Sequence, residues 1–489
     1  MLVQPTRRPP QALPLCVDLD GTLIYTDLLF ESFLLLVRAH FWAALLVPFW
    51  ILRYGKAATK LRIAALVRVD ASHLPYCDDV LRYVGEQRAI GRATVLVTAS
   101  AKPYAIAVAE HLKVFDNVMA TETPTMNLSG SHKAATLKNR FPQGFEYIGN
   151  SQDDLAVWRA ASVVSVANAR PRLKSAATAG RTVGFQCDSP HRPVHAALKG
   201  VRLHQWLKNL LVFVPLLAGH RLTDGQLVVQ ALIAFLAFGL CASSVYLLND
   251  LLDIDADRRH PRKRLRPFAN GALSIPLGLA LAATLLGLSA VAAAQLPLNF
   301  AAVLLLYYLL TLSYSIRLKA QVIVDVMMLS SLYTVRLIAG AAATGIALSF
   351  WLLAFSMFAF LSLALLKRYG EMRMLARSNQ QRSAGRGYST DDLVVLLALG
   401  AASGYSAVLV LALYVNSPEV TKLYAQPHLL WASVPILAYW MSRIWMKAHR
   451  GEVHDDPVVF AAKDWQSLVL AALLAVIGAA ATQTGSLLQ

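Results

Sequence analysis

The chain has 489 residues, of which 56% are hydrophobic and 15% charged, and its mean hydropathy is +0.48. Ordinary soluble domains contain about 45–50% apolar and about 25% charged residues, so the composition excludes both a disordered chain and an ordinary soluble protein. The 46 Lys and Arg exceed the 29 Asp and Glu and give a net charge of +17, which favours nucleic acid, anionic lipid or a phosphorylated substrate as partner.

Residues 1–187 show the alternating pattern of an α/β domain. Four short apolar runs each precede a polar turn and a helix-like segment, as parallel sheets require; these runs are 13–17, 94–97, 147–148 and 163–166. We predict a cap insertion over about 27–90 and a linker over 188–200, which contains two prolines and has no periodicity. No signal-peptide pattern opens the chain, so we expect a cytosolic N-terminus.

One apolar segment within this domain has two interpretations. Residues 28–53 are strongly apolar but are interrupted by Glu31, Arg38 and Pro48. The segment is either a buried helix pair that forms a small cap or an interfacial helix that lies against a membrane, which its Phe and Trp residues favour. A full crossing is disfavoured because it would place the two flanks of one sheet on opposite sides of a membrane.

Two carboxylates follow the first predicted strand. Asp18 and Asp20 in LCVDLDGTL lie two residues apart at the end of an apolar run, so their side chains point the same way. Such a pair suits Mg²⁺ binding and a carboxylate nucleophile with a neighbouring general acid or base. The segment resembles the DxDGT motif of the haloacid dehalogenase superfamily of aspartyl-phosphate phosphatases.

Three further segments carry this resemblance in the expected order. They imply that Thr98 binds phosphate, that Lys133 neutralises the phosphorylated intermediate, and that Asp154 in GNSQDDLAVW is a metal ligand with Asp18 and Asp20. Asp18 would be the nucleophile and Asp20 the acid/base. Family members usually carry Asp where this chain has Asn150, which would weaken Mg²⁺ binding. A phosphatase fold kept only as a scaffold is the alternative.

The second half, 201–489, is predicted to be an all-α multi-pass membrane bundle of about nine transmembrane helices. Most of its apolar stretches approach the roughly 20 residues that cross a bilayer; they are 206–219, 227–248, 272–296, 299–316, 322–345, 348–366, 393–415, 428–446 and 466–484. Basic residues concentrate in alternate loops, such as 258–266, and the positive-inside rule places those loops and the N-terminal domain on the cytoplasmic side. We therefore expect a protein of the bacterial inner membrane, and this charge distribution argues against nucleic-acid binding.

The densest polar cluster lies at the end of an apolar stretch. Asn249, Asp250, Asp253 and Asp257 recur at spacings of three and four, so on a helix they share one face. Carboxylates at the end of a membrane helix are costly unless they are paired, and Mg²⁺ would present them to a diphosphate. The basic residues that follow would hold phosphate oxygens. A solvated positive-inside loop explains those basic residues but not three aspartates on one face.

This cluster resembles the NDxxDxxxD motif of the UbiA superfamily of intramembrane prenyltransferases. That resemblance implies a helical bundle in which Asp250, Asp253 and Asp257 are catalytic and bind Mg²⁺. Quinone-pathway members carry a second motif of DxxxD type; here Asp325 is present, but Leu329 stands at the second aspartate position. The departure argues against the usual transfer of a prenyl group to an aromatic acceptor.

Several segments resemble the decaprenyl-phosphate phosphoribosyltransferase branch, namely RLHQWLKN, ADRRHPRKRLRP, YSIRLK, LALLKRYGE and RGEVHDDPVVFA. The resemblance implies transfer of 5-phosphoribose from phosphoribosyl diphosphate to a polyprenyl phosphate. It further implies a set of substrate-binding residues, with Tyr314 positioning the ribose and the cations contacting phosphates: Lys208, Asn249, Lys263, Arg266, Tyr314, Lys319, Asp325 and Lys367.

Two polar features leave alternatives open. Arg336 lies in an apolar stretch, where a lipid-facing arginine would cost several kcal/mol, so we expect it to face the bundle interior and to pair with a carboxylate or with lipid phosphate. Glu452, His454, Asp455 and Asp456 form either a solvated loop or a gate over the donor site.

Together these features predict a bifunctional enzyme whose phosphatase domain removes the 5-phosphate from the lipid-linked product. The dephosphorylated lipid would be a precursor for cell-envelope arabinose or ribose glycans. The main alternative is a prenyltransferase that uses prenyl diphosphate and an aromatic acceptor, with a regulatory phosphatase-like domain. A non-enzymatic scaffold that binds lipid phosphate is a third reading. The sequence leaves the oligomeric state, including a homo-oligomer, open.

Overall fold

The computed structural model describes residues 13–377, 381, 386–453 and 456–482. Contacts between residues divide the chain into two compact units. The first comprises Met1–Gly200 with Asp250–Ala280, and the second comprises Val201–Asn249 with Leu281–Gln489. The predicted domain boundaries at residues 187 and 201 stay predictions. The helix Pro193–Val201 occupies much of the predicted linker, residues 188–200.

The first unit contains a six-stranded parallel sheet. Its strands are β1 (Leu15–Val17), β2 (Thr94–Ala101), β3 (Asn117–Thr121), β4 (Glu146–Gly149), β5 (Val163–Ala167) and β6 (Val183–Cys187). Four of these correspond to the predicted apolar runs, whereas β3 and β6 are additional. The order β3-β2-β1-β4-β5-β6 reverses direction at β1, and the crevice at the carboxyl ends of strands beside such a reversal is where α/β sheets bind ligands.

Helices cover both faces of this sheet. In chain order they are α1 (Leu28–Ala39), α2 (Phe41–Leu45), α3 (Val47–Leu66), α4 (Asp78–Ala89), α5 (Lys102–Leu112), α6 (Gly130–Arg140), α7 (Leu155–Ala160), α8 (Pro171–Thr178) and α9 (Pro193–Val201). Side chains alternate along β1, so Leu15 and Val17 enter one core cluster and Cys16 enters the other. The α/β fold predicted for the N-terminal part is confirmed.

The cap lies between β1 and β2 and is built from α1 to α4. Residues 28–53, for which a buried helix pair and an interfacial helix were both considered, form α1, α2 and the first turns of α3. Leu36, Val47 and Ile63 are buried between these helices, whereas Trp42 and Leu52 are strongly exposed. The segment is therefore a helical cap with only one buried side.

The remaining helices are α10 (Val214–Ala218), α11 (Gly225–Leu252), α12 (Ile254–Arg259), α13 (Ile275–Ala293), α14 (Leu298–Ile316), α15 (Val324–Thr344), α16 (Phe350–Arg377), α17 (Leu393–Val415), α18 (Pro418–Leu423), α19 (Ser433–Arg450), α20 (Pro457–Lys463) and α21 (Trp465–Thr482). Short 3₁₀ segments join them and the earlier elements: Ala71–His73, Gln152–Asp154, Leu203–Phe213, Lys263–Leu265, Leu318–Ala320, Thr390–Asp392 and Pro427–Ala432.

Within the described residues, seven helices are long and apolar enough to cross a membrane: Gly225–Leu252, Ile275–Ala293, Leu298–Ile316, Val324–Thr344, Phe350–Arg377, Thr390–Val415 and Trp465–Thr482. The predicted count of about nine also included 206–219 and 428–446. The first of these forms 3₁₀ segment Leu203–Phe213 and the short α10, and the second forms most of the amphipathic α19. The predicted multi-pass helical fold is confirmed, with the count approximate.

Candidate active sites

The predicted phosphatase residues meet at the carboxyl ends of the central strands. Asp18 and Asp20 directly follow β1, and Thr98 lies in the neighbouring β2. Asp20 accepts hydrogen bonds from Thr98 Oγ1 at 3.2 Å, from Ser100 Oγ at 2.6 Å and from the backbone N–H of Leu28 at 2.9 Å. Asp20 is thereby held between the sheet and the first turn of the cap.

Asp18 forms a buried ion pair with Lys133, whose Nζ lies 2.7 Å from Asp18 Oδ1. Lys133 also donates to Tyr147 Oη at 2.9 Å, and Tyr147 in turn donates to Asp154 Oδ1 at 2.6 Å. Burial raises the pKa of Asp18 to about 7, and Lys133 opposes this rise. Burial lowers the pKa of Lys133, but Asp18 and Asp154 outweigh it, so the lysine remains a cation beside the predicted nucleophile.

The Asp154 carboxylate is directed mainly at its own loop. Its Oδ2 accepts from the backbone N–H groups of Asn150 and Ser151 and from Ser151 Oγ, at 2.9–3.0 Å. Asn150 Oδ1, by contrast, is buried without a hydrogen-bond partner in the described structure. Because an orphaned buried oxygen near the Asp154 carboxylate is a fitting cation ligand, the donor set suits Mg²⁺, and we propose Asn150 as a Mg²⁺ ligand in addition to Asp18, Asp20 and Asp154.

A cap lysine that the sequence did not single out also reaches this region. Lys60 of α3 donates from Nζ to the backbone oxygen of Ala99 at 2.8 Å, next to Thr98. Burial lowers the pKa of Lys60, although Asp20 and Asp27 oppose the shift. The sequence of α3 does not predict that Lys60 lies beside Thr98, because this contact forms only when the cap folds against β2.

The aspartates of the second motif converge on one arginine. Helix α11 ends at Leu252, Asp253 lies at the break, and α12 carries Asp257, so the three aspartates are not on one continuous helix as predicted. Arg266 nevertheless pairs with Asp250 at 3.1 Å and with Asp257 at 2.7 Å. Burial lowers the pKa of Arg266, but Asp250, Asp257 and Asp253 outweigh it, so all three carboxylates act on the same cation.

Together, Asp250, Asp253 and Asp257 carry more negative charge than Arg266 balances, and a divalent ion could neutralise the remainder. Burial raises the pKa of Asp257 to about 6, and the charge of Asp250 adds to the rise against the opposing effect of Arg266. Across the described residues, no three His, Cys, Asp or Glu side chains are placed to hold a metal ion by themselves. The donor set still fits Mg²⁺, which binds through one or two carboxylates together with water and substrate phosphates.

Within the first unit, residues 250–266, here called the aspartate segment, are joined to the cap by ion pairs. Arg258 of α12 forms a bidentate pair with Glu31 of α1, at 2.6 and 2.8 Å, and both side chains are buried. Arg258 also donates to the backbone oxygen of Ala269. A second, exposed pair links Arg259 to Asp70 at 3.2 Å.

Glu31→Gln should lower the free energy of unfolding of the first unit by about 3–5 kcal/mol, because it leaves the buried Arg258 without its charged partner. Asp70→Asn is the matched control, since an exposed pair contributes only about 0–1 kcal/mol. Thermal unfolding of the full chain in detergent measures both. Equal effects of the two variants would contradict a structural role for the buried pair.

In the second unit, Asp456 binds two of the predicted phosphate-binding lysines. Its Oδ2 lies 2.6 Å from Lys208 Nζ and 3.1 Å from Lys367 Nζ, and Tyr333 Oη donates to its Oδ1 at 3.1 Å. Burial raises the pKa of Asp456, but Lys367 and Lys208 outweigh it and hold the pKa well below its ordinary value. The Asp456 side chain is 7% exposed, whereas His454 and Asp455 lie outside the described residues, so the gate over the donor site stays a prediction.

Asp325 forms a separate buried cluster. Arg368 pairs with its carboxylate, and Tyr314 donates to Asp325 Oδ1 at 2.7 Å. Arg368 also donates to Tyr314 Oη at 3.1 Å. The charge of Asp325 is thus compensated by an arginine, which favours a structural role for this position in a chain that has Leu329 in place of a second aspartate.

Arg336 faces the interior of the second unit, as predicted for an arginine in an apolar helix. It donates hydrogen bonds to neutral groups: Nε donates to Asn209 Oδ1 at 2.9 Å, and another guanidinium nitrogen donates to Tyr307 Oη at 3.1 Å. Of the two expected partners of Arg336, a carboxylate is not among these hydrogen bonds, and lipid phosphate stays a prediction. Asn249, Lys263 and Lys319 are each partly buried, and their substrate roles stay predictions.

Sequence reasoning missed the partners that fix these clusters. No role was predicted for these residues, although Asn209, Arg368 and Asp456 lie in segments quoted for the family resemblance: Tyr147, Ser100, Lys60, Asn209, Tyr333, Arg368 and, as an ion-pair partner, Asp456.

Two family models match the chain. The haloacid dehalogenase-like hydrolase model matches residues 15–159, and the UbiA prenyltransferase family model matches residues 211–468, which is more than half of the chain. The chain belongs to the UbiA prenyltransferase family. Its N-terminal part is a haloacid dehalogenase-like domain, so the predicted fusion is confirmed. The two matches support an enzyme that combines a prenyl-phosphate transferase with a phosphatase domain.

Three relatives illustrate the likeness. The Sinorhizobium fredii protein named uncharacterized protein y4nM is 38% identical over 474 residues, which are 95% of this chain and 90% of the relative. The decaprenyl-phosphate phosphoribosyltransferase of Mycobacterium tuberculosis is 40% identical over 195 residues, 39% of this chain and 64% of that protein. A UbiA homologue from Archaeoglobus fulgidus, solved with GPP and Mg²⁺, is 18% identical with a TM-score of 0.45, covering 59% of this chain and 100% of that one.

Proposed function

We propose that this enzyme transfers 5-phosphoribose from phosphoribosyl diphosphate to a polyprenyl phosphate and that its phosphatase domain then removes the 5-phosphate. The convergence of Asp250 and Asp257 on Arg266 carries the first half of the proposal, because it places two buried carboxylates beside a phosphate-binding cation. The identity with decaprenyl-phosphate phosphoribosyltransferases supports the choice of substrates.

In the transfer, a phosphate oxygen of the lipid attacks the anomeric carbon of the ribose. The bond from that carbon to the diphosphate breaks, and pyrophosphate leaves with the electron pair. Arg266 and Lys263 would hold diphosphate oxygens, and Asp250, Asp253 and Asp257 would hold Mg²⁺. Mg²⁺, when bound, supplies charge neutralisation for the leaving group.

In the second unit, the other residues predicted to bind substrate are Lys208, Asn249, Tyr314, Lys319, Asp325, Arg336 and Lys367. Lys208 and Lys367 both donate hydrogen bonds to one anionic oxygen, Oδ2 of Asp456, so the two ammonium groups are close enough to bind the same anion. We propose that they bind phosphate oxygens of donor or acceptor. The Asp325–Arg368–Tyr314 cluster disfavours the alternative reaction with an aromatic acceptor. Asp325 is the only carboxylate that this chain has in the second motif, and it is already bound by Arg368 and Tyr314.

In the phosphatase step, Asp18 attacks the 5-phosphorus and forms an aspartyl phosphate, while Asp20 gives a proton to the departing ribose oxygen. Asp20 then takes a proton from the water that releases inorganic phosphate and regenerates Asp18. Lys133, 2.7 Å from Asp18, balances the charge of the intermediate, and Thr98 donates a hydrogen bond to the phosphate. The product would be polyprenyl phosphoribose at the cytoplasmic side of a bacterial inner membrane, a precursor for cell-envelope glycans.

Mass spectrometry of lipid products tests this sequence of reactions. The purified full chain is incubated with Mg²⁺, phosphoribosyl diphosphate and decaprenyl phosphate, and we expect a lipid-linked ribose that lacks its 5-phosphate. Omitting either substrate is the control. Absence of any ribosylated lipid, combined with turnover of prenyl diphosphate and an aromatic acid, would favour the prenyltransferase alternative.

A further inference from the structure

The cap ends in an exposed apolar surface, here called the cap tip and comprising residues 38–56. Eight large hydrophobic side chains on it are exposed: Phe41, Trp42, Leu45, Leu46, Phe49, Ile51, Leu52 and Tyr54. Trp42 is 79% exposed and Leu52 88%, although both are among the residue types that folding normally buries. Large apolar patches of this kind on soluble units mark interaction sites.

The cap does not need these side chains to fold. Its own core consists of other residues, with Leu36, Val47 and Ile63 packed together. The helix α3 is interrupted at Gly55, which has φ 79° and ψ 173° and so separates the turns that carry Phe49 and Leu52 from the turns that pack on the sheet. The exposed residues are therefore available for a contact outside the core.

The charges around the cap tip are of one sign. Residues 32–69 contain six Lys and Arg and no Asp or Glu. Five of these cations are exposed: Arg38, Arg53, Lys56, Arg62 and Arg68. Aromatic and leucine side chains surrounded by cations are typical of elements that lie in the interface of an anionic membrane.

We propose that the cap tip docks onto the anionic surface of the membrane that the chain itself spans, with its Phe, Trp and Leu side chains in the headgroup region. Seven candidate spans keep the chain at a bilayer, so the local concentration of lipid is high and docking costs little translational entropy. A second copy of the chain is a poor occupant, because its cap tip would bring three exposed cations, Arg38, Arg53 and Lys56, against the same three. The proposal does not depend on which reaction the enzyme catalyses.

Site-specific fluorescence tests this docking. An environment-sensitive probe is attached at Leu52→Cys in a full-length Cys187→Ser background; Cys187 is the one native cysteine that is not buried. The matched control is Ile90→Cys, because Ile90 is 74% exposed at the end of α4, outside the cap tip. Both proteins are placed, one copy per disc, in nanodiscs of phosphatidylethanolamine and phosphatidylglycerol, with and without lipids that carry a quencher in the acyl chain.

We expect a blue-shifted emission at position 52 and roughly a twofold or greater loss of intensity with quencher lipids, and neither effect at position 90. Trp42→Glu in the Leu52→Cys protein should reverse both effects, whereas Ile90→Glu in the same protein should not. A Trp42→Cys probe provides a second reporter of the same surface. A water-like, unquenched emission from the probe at position 52 would overturn the proposal. A blue-shifted emission without lipid quenching would also overturn it, because the probe would then be covered by protein and not by lipid.

Discussion

Asp250→Asn should reduce phosphoribosyl transfer by about 10²–10³-fold while leaving the protein folded. The amide removes one of the two buried negative charges that face Arg266, so the site would bind Mg²⁺ and the diphosphate less well. Arg266 keeps its pair with Asp257 at 2.7 Å, which protects the fold from an unpaired buried charge. The rate of ribosylated lipid formation from phosphoribosyl diphosphate and decaprenyl phosphate is the measurement.

Asp255→Asn is the matched control for this variant. Asp255 belongs to the same segment, but its carboxylate is more exposed and pairs with Arg259 at 3.1 Å rather than with Arg266. We expect nearly unchanged transfer for this control, and partial rescue of Asp250→Asn at raised Mg²⁺ concentration. If Asp250→Asn and Asp255→Asn lose activity equally, or if neither does, the aspartate segment is not the diphosphate site.

Asp18→Asn should slow removal of the 5-phosphate by at least about 10³-fold, because an amide does not form the aspartyl phosphate. Lys133 would keep Tyr147 at 2.9 Å and Asp154 at 3.7 Å, so the fold should persist. In the two-substrate incubation, the lipid product of this variant should retain its 5-phosphate, whereas the wild-type product should lack it.

Asp79→Asn is the control for the phosphatase prediction, since Asp79 pairs with Arg82 on the exposed surface of α4. Ribosylated lipid should form at the wild-type rate in Asp18→Asn, which separates the two activities. A product that keeps its 5-phosphate in wild type and Asp18→Asn alike would show that the domain does not act on this lipid. The transferase proposal would stand in that case.

The sequence by itself determined the fold classes and the order of the motifs. Apolar runs of strand length followed by polar turns predict a parallel sheet, and the ends of such strands lie at one edge. The strand pattern placed Asp18 and Asp20 at that edge, and the resemblance to the haloacid dehalogenase superfamily added Thr98, which donates to Asp20 in the structure. The apolar stretches likewise predicted membrane helices, because bilayer thickness sets their length.

The tertiary structure alone decided how the charges are paired. The three-and-four spacing predicted one helical face for the aspartates, yet the helix breaks at Asp253 and an arginine nine residues beyond Asp257 gathers the carboxylates. Lys208 and Asp456 are 248 positions apart and Glu31 and Arg258 are 227 apart, and no local pattern encodes such pairs. Periodicity reports which side of an element is apolar, whereas the partner of a buried charge depends on which distant elements pack against it.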